Sequence, residues 1–221
     1  MSIKIDINNL KGINLFNADC MEIMKQLPDN WADLAICDPP FGIDAGNMTM
    51  GSGKHKYKQG KQWDSGIPNK EYFDELKRVS KNQIIWGGNY FTDYLPPTKH
   101  WIVWDKCNPN LSFAEGELAW QSIGTGLRIY KIYSAMQIKI HPTQKPTDLY
   151  KWLLKNYAKP TDKIFDSHGG SMSSVIACID NGNPMVCCEL DKEYFDMAVG
   201  RVQSHVSQLD LYRDRPEIKI F

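Results

Sequence analysis

Apolar residues in this chain fall into short runs, separated by longer stretches in which they recur every three or four positions. The runs are INLF (13–16), ADLAIC (32–37), NQIIW (82–86), HWIVW (100–104), ELAWQ (117–121), KIFD (163–166) and PMVCC (184–188). Several are apolar throughout rather than alternating, as in strands covered on both faces. The periodic stretches predict helices over 20–26, 69–80, 147–158, 172–181 and 191–205. Strands alternating with helices predict an α/β fold: a doubly wound, mostly parallel sheet with helices on both faces. Two polar, glycine-containing stretches stand outside this frame, at about 42–68 and 105–140. Loops of that length in a compact domain are commonly functional. The tail after Val206 reads as a weakly anchored end.

Composition narrows the picture. The 221 residues suit one sizeable α/β domain spanning 1–221. Lys+Arg and Asp+Glu both number 26, so attraction to a polyanion has to come from a local basic surface. None of the six cysteines forms a C-x-x-C pair, and most sit in apolar segments. They read as buried free thiols in a reducing compartment, not as a zinc site or a disulfide framework. The opening MSIKIDINNL has no long apolar run, and no stretch approaches the ~20 apolar residues of a membrane span. The expectation is a cytoplasmic protein with no membrane partner and no metal.

Two constellations carry chemistry. In DKIFDSHGGSMSSVIACIDNG (162–182) an apolar strand ends in Asp166, a small-residue turn follows, and a helix begins near Ser171. Gly169 and Gly170 permit tight backbone and close ligand approach at the carboxyl end of a strand, where open α/β sheets bind ligands. A further strand ends in Glu189, placed to hydrogen-bond ribose hydroxyls. Neither the G-x-G-x-x-G spacing nor a Walker lysine is present, so the ligand is a nucleoside without phosphate. His141 reads as a capping or turn histidine; for His168 that reading stands beside a ligand-facing place in the turn.

The second constellation is CDPPFG (37–42). Asp38 stands where a strand leaves the sheet, and Pro39 and Pro40 stiffen the backbone and remove competing N–H donors. The Asp38 carboxylate and the Pro39 carbonyl form a pair of acceptors suited to an exocyclic amine. Such an amine is a poor nucleophile until its hydrogens are gripped. Phe41 offers a flat face for a base, a contact worth ~1–3 kcal/mol. Reaching an amine inside a duplex requires flipping the base out.

Together these motifs resemble those of the amino-group DNA methyltransferases, enzymes that use S-adenosylmethionine and carry D-P-P-Y/F with a strand–Asp–Gly-rich turn. IKIHPTQKPTDLYKWLL (138–154) is similar to the family's His-Pro element, and LFNADCMEIMKQLPDNWADLAICDPPFG (15–42) to its opening strand and catalytic loop. The catalytic motif precedes the cofactor turn, as in the permuted β-type order. The resemblance implies a Rossmann-like methyltransferase fold and roles by position. Asp38, Pro39, Pro40 and Phe41 are catalytic. Asp19, Cys20, Thr143, Lys145, Asp166, His168, Gly170, Ser171 and Glu189 hold the cofactor. The implied reaction is site-specific methylation of the adenine N6 amino group in double-stranded DNA, with cytosine N4 as the alternative. It also implies a bacterial or phage source, with a second copy of the chain and a cognate restriction endonuclease as candidate partners.

The sequence departs from the family in two places. Met172 replaces the turn's second glycine, which raises a crowded cofactor site and a disabled nucleic-acid-binding module as a further alternative. The recognition region before the His-Pro element is short. DNA contact is therefore expected from the first polar loop, through Lys54, Lys56, Tyr57, Lys58 and Lys61.

Overall fold

A computed structural model describes residues 4–45, 62–108, 114–133, 140–208 and 217–221. The strands are β1 (Ile13–Phe16), β2 (Leu34–Cys37), β3 (Gln83–Trp86), β4 (Trp101–Asp105), β5 (Gly116–Gln121), β6 (Arg128–Lys131), β7 (Ile164–Asp166), β8 (Met185–Cys188) and β9 (Ile218–Ile220). The helices are α1 (Cys20–Met24), α2 (Lys70–Val79), α3 (Thr147–Tyr157), α4 (Ser173–Asn181) and α5 (Lys192–Ser207). The strands form one sheet in the order β6-β4-β5-β3-β2-β7-β8-β1-β9. Among the described residues, only the β3–β5 and β4–β5 pairings are antiparallel.

The expected two-sided burial is present strand by strand. β1, β2, β3, β7 and β8 are buried along their whole length. Leu34 and Ile36 join Ile84, Ile164 and Met185 in a core capped by α3, α4 and α5. Their neighbours Ala35 and Cys37 join Ile85, Phe165 and Val186 under α1 and α2. Alternate side chains thus serve opposite layers, as pleated strands require. α2 shows how a helix earns its place. Asn69 caps it by accepting from the Tyr72 N–H (3.1 Å), and Tyr72, Phe73, Leu76 and Val79 form its buried stripe. α4 closes on Gly182, whose left-handed backbone (φ 83°) lets its N–H reach the Cys178 and Ile179 carbonyls.

Two expectations are corrected. The 105–140 stretch is not a single excursion, because β5 and β6 lie within it and pair on either side of β4. β6 escaped notice because, as an edge strand, it exposes Arg128, Ile129 and Lys131 and lacks an apolar run. The chain's end is not loose either. α5 runs on to Ser207, β9 adds to the sheet edge beside β1, and the Phe221 ring stacks on Phe16 at 4.6 Å. No helix among the described residues is long and apolar enough to cross a membrane.

Candidate active site

β7 sits at the sheet's switch point. The chain proceeds from β7 through α4 to β8 on one side, while β2 lies on the other and leads through α2 to β3. Ligands of open α/β sheets bind in the crevice outside the carboxyl ends at such a point. The segments following β1, β2, β7 and β8, with the stretch before α3 and residues 62–63, enclose a cavity of about 470 Å³.

The turn after β7 is fastened by its own acids. Asp166 Oδ1 accepts from the His168 N–H (3.1 Å) and Oδ2 from the Ser174 hydroxyl (2.6 Å). Glu189 accepts from Gly170 N–H (2.8 Å) with one oxygen and from Asp191 N–H (2.9 Å) with the other. A Cβ on Gly169 would stand 2.6 Å from Cys187 Sγ, so only glycine lets the turn lie this close to β8. From α5, Arg201 donates to the Ser171 carbonyl (2.6 Å) and to the Thr147 hydroxyl (3.1 Å), tying the turn to α3. Burial pushes the Asp166 carboxyl up to about 7 against its hydrogen bond from Ser174. Burial likewise pushes His168 down to about 4, so its imidazole is neutral at pH 7. Its Nδ1 is 2.8 Å from Ser167 Oγ, which is 2.7 Å from the Tyr72 hydroxyl.

Met172 corrects the expectation of crowding. Its side chain is fully buried in the core under α3 and α4, and it is not among the residues lining the cavity. What it lacks relative to glycine is backbone ease: it holds φ 55°, ψ 36° as the residue preceding α4.

Asp19, Cys20, Thr143 and Lys145, like His168, Gly170, Ser171 and Glu189, line the cavity, whereas Asp166 is not among its lining residues. Asp19 caps α1 by accepting from Met21 N–H (2.8 Å). Burial, with Asp19 alongside, raises the Cys20 thiol far above its usual range, so it is not a thiolate. Thr143 Oγ1 lies 3.2 Å from His141 Nδ1. The His141 ring packs between Trp63 (5.0 Å) and Tyr194 (4.4 Å), and a Cβ on Gly170 would be 3.7 Å from it. It is thus part of the cavity wall, which a lone histidine in the sequence does not announce. Lys145 lines the cavity, but its ammonium is committed to carboxylates. It lies 2.5 Å from Asp38 Oδ2 and 3.0 Å from Glu117 Oε2.

The corner after β2 is where charge concentrates. Asp38 and Pro40 line the cavity, and Pro39 is buried beneath them. Asp38 Oδ1 is buried with no hydrogen-bond partner. Burial raises the Asp38 carboxyl and Glu117 adds to this, while Lys145 opposes it. Burial also works against the ionised Glu117, but Lys145 and Lys106 outweigh it and hold that carboxyl down at about 2. Lys106 completes the chain, 2.7 Å from Glu117 Oε1. Phe41 stacks on Tyr90 (5.1 Å, 11°), and a Cβ on Gly87 would strike its ring at 2.2 Å. Asp64, 2% exposed, accepts from the N–H groups of Phe41 (2.6 Å), Gly42 (2.9 Å) and Ala45 (2.9 Å). One carboxylate therefore organises the whole turn. Sequence reasoning passed over it, together with Glu117 and Lys106, because no local pattern links these positions to residues 38–45. The expected DNA contacts Lys54, Lys56, Tyr57, Lys58 and Lys61 lie outside the described residues.

Comparison with known proteins bears on the fold and the family. Residues 96–200 match the N6/N4 family model described as DNA methylase. The chain is 22% identical to the type II methyltransferase M.HinfI of Haemophilus influenzae over 255 aligned positions, covering 91% of this chain and 71% of that protein. It shares its fold with the M1.HpyAVI–SAM complex (TM-score 0.57, 20% identity, covering 86% of this chain and 98% of that one). It also shares it with the cytosine-N4-specific PvuII DNA methyltransferase (TM-score 0.59, 14% identity, 92% and 91% covered).

Proposed function

We propose that this chain is an amino-group (N6/N4) DNA methyltransferase, the family whose model matches residues 96–200, and that it methylates the N6 amino group of a flipped adenine in double-stranded DNA, using S-adenosylmethionine. The observation that carries this reading is the juxtaposition of two ends of one cavity. A glycine turn with a strand-end acid, Gly169–Gly170 and Glu189, faces the Asp38 corner with its unpaired carboxylate oxygen.

The residues fit the cofactor. The cavity falls within the ~300–1,000 Å³ of small-molecule sites. Gly169 packs against Cys187 where a Cβ has no room, Gly170 holds a left-handed backbone (φ 50°) at the cavity wall, and Glu189 is anchored through backbone N–H groups that leave lone pairs for ribose hydroxyls. Leu190, 71% exposed beside Glu189, offers apolar surface to a nucleobase. S-adenosylmethionine supplies an electrophilic sulfonium methyl when bound.

The chain's own residues do the rest. Asp38 and the Pro39 carbonyl accept the two hydrogens of the amine and draw its lone pair away from the ring. One amine proton would leave to Asp38 or water once the methylated nitrogen becomes acidic. Lys145 supports the ionised form of Asp38, which burial alone disfavours. Asp64 holds the turn so that the acceptors stay aligned, and alignment supplies much of the rate in such a transfer. The whole chain acts as one methyltransferase domain, and Lys54, Lys56, Tyr57, Lys58 and Lys61 follow the DNA backbone. The buried Met172, outside the cavity, favours an active site over a disabled module. Cytosine N4 stands as the second reading because of the fold shared with PvuII.

The test is transfer of labelled methyl from S-adenosylmethionine to unmethylated DNA, followed by nucleoside analysis, with Asp38→Ala beside the wild type. N6-methyladenine from the wild type, and a loss of at least about a thousandfold in Asp38→Ala, is expected. N4-methylcytosine transfers the mechanism to the other base. No methylated nucleoside on mixed-sequence DNA overturns the activity.

A further inference from the structure

The charge chain Asp38–Lys145–Glu117–Lys106 crosses the sheet from the corner after β2 to the end of β4, and the methyl transfer outlined above uses only its first two members. Lys145 is the pivot. Its side chain is 1% exposed, with its ammonium 2.5 Å from Asp38, 3.0 Å from Glu117, and 5.3 and 5.6 Å from the ring centres of Trp86 and Phe41. A buried ammonium with a single carboxylate partner forms a closed pair, and its attraction is largest where water is excluded. Here it has two carboxylates. Glu117 Oε2 meets Lys145 at ion-pair distance without hydrogen-bond geometry, whereas the Lys145–Asp38 contact is a full hydrogen bond. The far oxygen of Glu117 is held by Lys106 at 2.7 Å, which fixes where Glu117 stands.

We propose that Glu117, fixed by Lys106, is a positioning residue that shares the Lys145 ammonium with Asp38, so that Lys145 holds Asp38 through Oδ2 alone and leaves Oδ1 for the substrate amine. The inference rests on Asp38 being the amine acceptor. It gives a role to a glutamate on β5 and a lysine beyond β4 that lie far from Asp38 in sequence. The other charged or titratable groups acting on or with Asp38 are Asp64 from the loop after β2, Asp166 at the end of β7 and Tyr150 on α3. All are unchanged in the variants below, so differences between variants report Glu117 and Lys106.

The titration of Asp38 is followed by carboxyl carbon NMR in aspartate-labelled protein without cofactor or DNA, its signal identified with Asp38→Asn. Glu117→Gln removes a negative neighbour, so the Asp38 midpoint moves to lower pH. Lys106→Met removes a positive charge from the far end, so the midpoint moves to higher pH. Midpoints that coincide with wild type overturn the proposal, and Lys106→Met decides alone if Glu117→Gln does not fold. In methyl transfer, Glu117→Gln lowers kcat about tenfold or more while KM for DNA stays within about twofold, and the acid limb of the kcat profile shifts to lower pH. A fall in kcat with an unmoved acid limb reduces Glu117 to a structural residue. Shifted midpoints in a protein without methyl transfer sink the enzymatic reading and leave the charge chain standing. Transfer with unshifted midpoints does the reverse.

Discussion

The turn after β7 and the corner after β2 stand at the ends of adjacent parallel strands, and they are held in contrasting ways. The β7 turn is held chiefly by the acids at the ends of β7 and β8 and by backbone: Glu189 to Gly170, Asp166 to His168 and Ser174, Gly169 to the Cys188 carbonyl. Its acids use both carboxylate oxygens to hold the turn. The β2 corner is held from a distance, by Asp64 across the loop and by Lys145 from before α3, and one oxygen of Asp38 is left unpaired. A closed turn of this kind receives a ligand that must sit in one place. A corner with an unspent acceptor grips a group that arrives, reacts and leaves.

The sharpest way to break this contrast is Asp64→Ala. It frees the N–H groups of Phe41, Gly42 and Ala45 together, and hydrogen bonds to a charged acceptor contribute about 1.5–3 kcal/mol each. Methyl transfer is expected to fall about a hundredfold through lost alignment. Affinity for S-adenosylmethionine, measured by calorimetry, stays within about twofold because Asp64's side chain bonds to the N–H groups of Phe41, Gly42 and Ala45, in the β2 corner and not in the β7 turn. Equal losses in affinity and turnover would show that the two regions share one support.

A second effect separates the two titrating residues inside the β7 turn. Asp166 is raised to about 7 in the folded protein, so the folded state holds its proton more tightly than the unfolded chain. Its contribution is fully present below pH ~4 and is lost as pH rises through about 7. His168 is lowered to about 4, so its contribution is present above pH ~6.5 and is lost as pH falls through about 4. Between pH ~4 and ~6.5 the slopes oppose, each on the order of 3 kcal/mol across its window. Asp166→Asn keeps the acceptor for His168 N–H, and denaturant midpoints should then rise with pH over this range. His168→Asn should make them fall. Parallel profiles in wild type and both variants would remove this turn from the pH dependence.

The contrast also explains what sequence could reveal. Features legible in the chain have local causes: apolar runs buried on both faces, the periodic helices beginning near 69 and 191, the strand-end acids Asp38, Asp166 and Glu189. The β7 turn, built from neighbours in sequence, could be read almost residue by residue. The β2 corner could be read only as DPPF. Its supports come from positions 64, 106, 117 and 145, and their meeting depends on the strand order β5-β3-β2, which periodicity does not specify. Edge strands β6 and β9 were missed for a related reason, since half-exposed strands lack a continuous apolar run.

Met172→Gly is the finest test, because sequence and structure expect different outcomes. A crowded cofactor site would bind S-adenosylmethionine more tightly once the side chain is gone. The structure instead places that side chain in the core, out of the cavity. Glycine relieves a left-handed backbone worth about 1–2 kcal/mol. It also removes a fully buried thioether, a loss of about 2–5 kcal/mol in comparable truncations. The expected net is destabilisation of about 1–3 kcal/mol in denaturant unfolding, with cofactor affinity unchanged. Tighter binding at unchanged stability would return Met172 to the cofactor's side of the turn. The expected pattern would assign it, with Gly169, to the packing that holds the turn against β8.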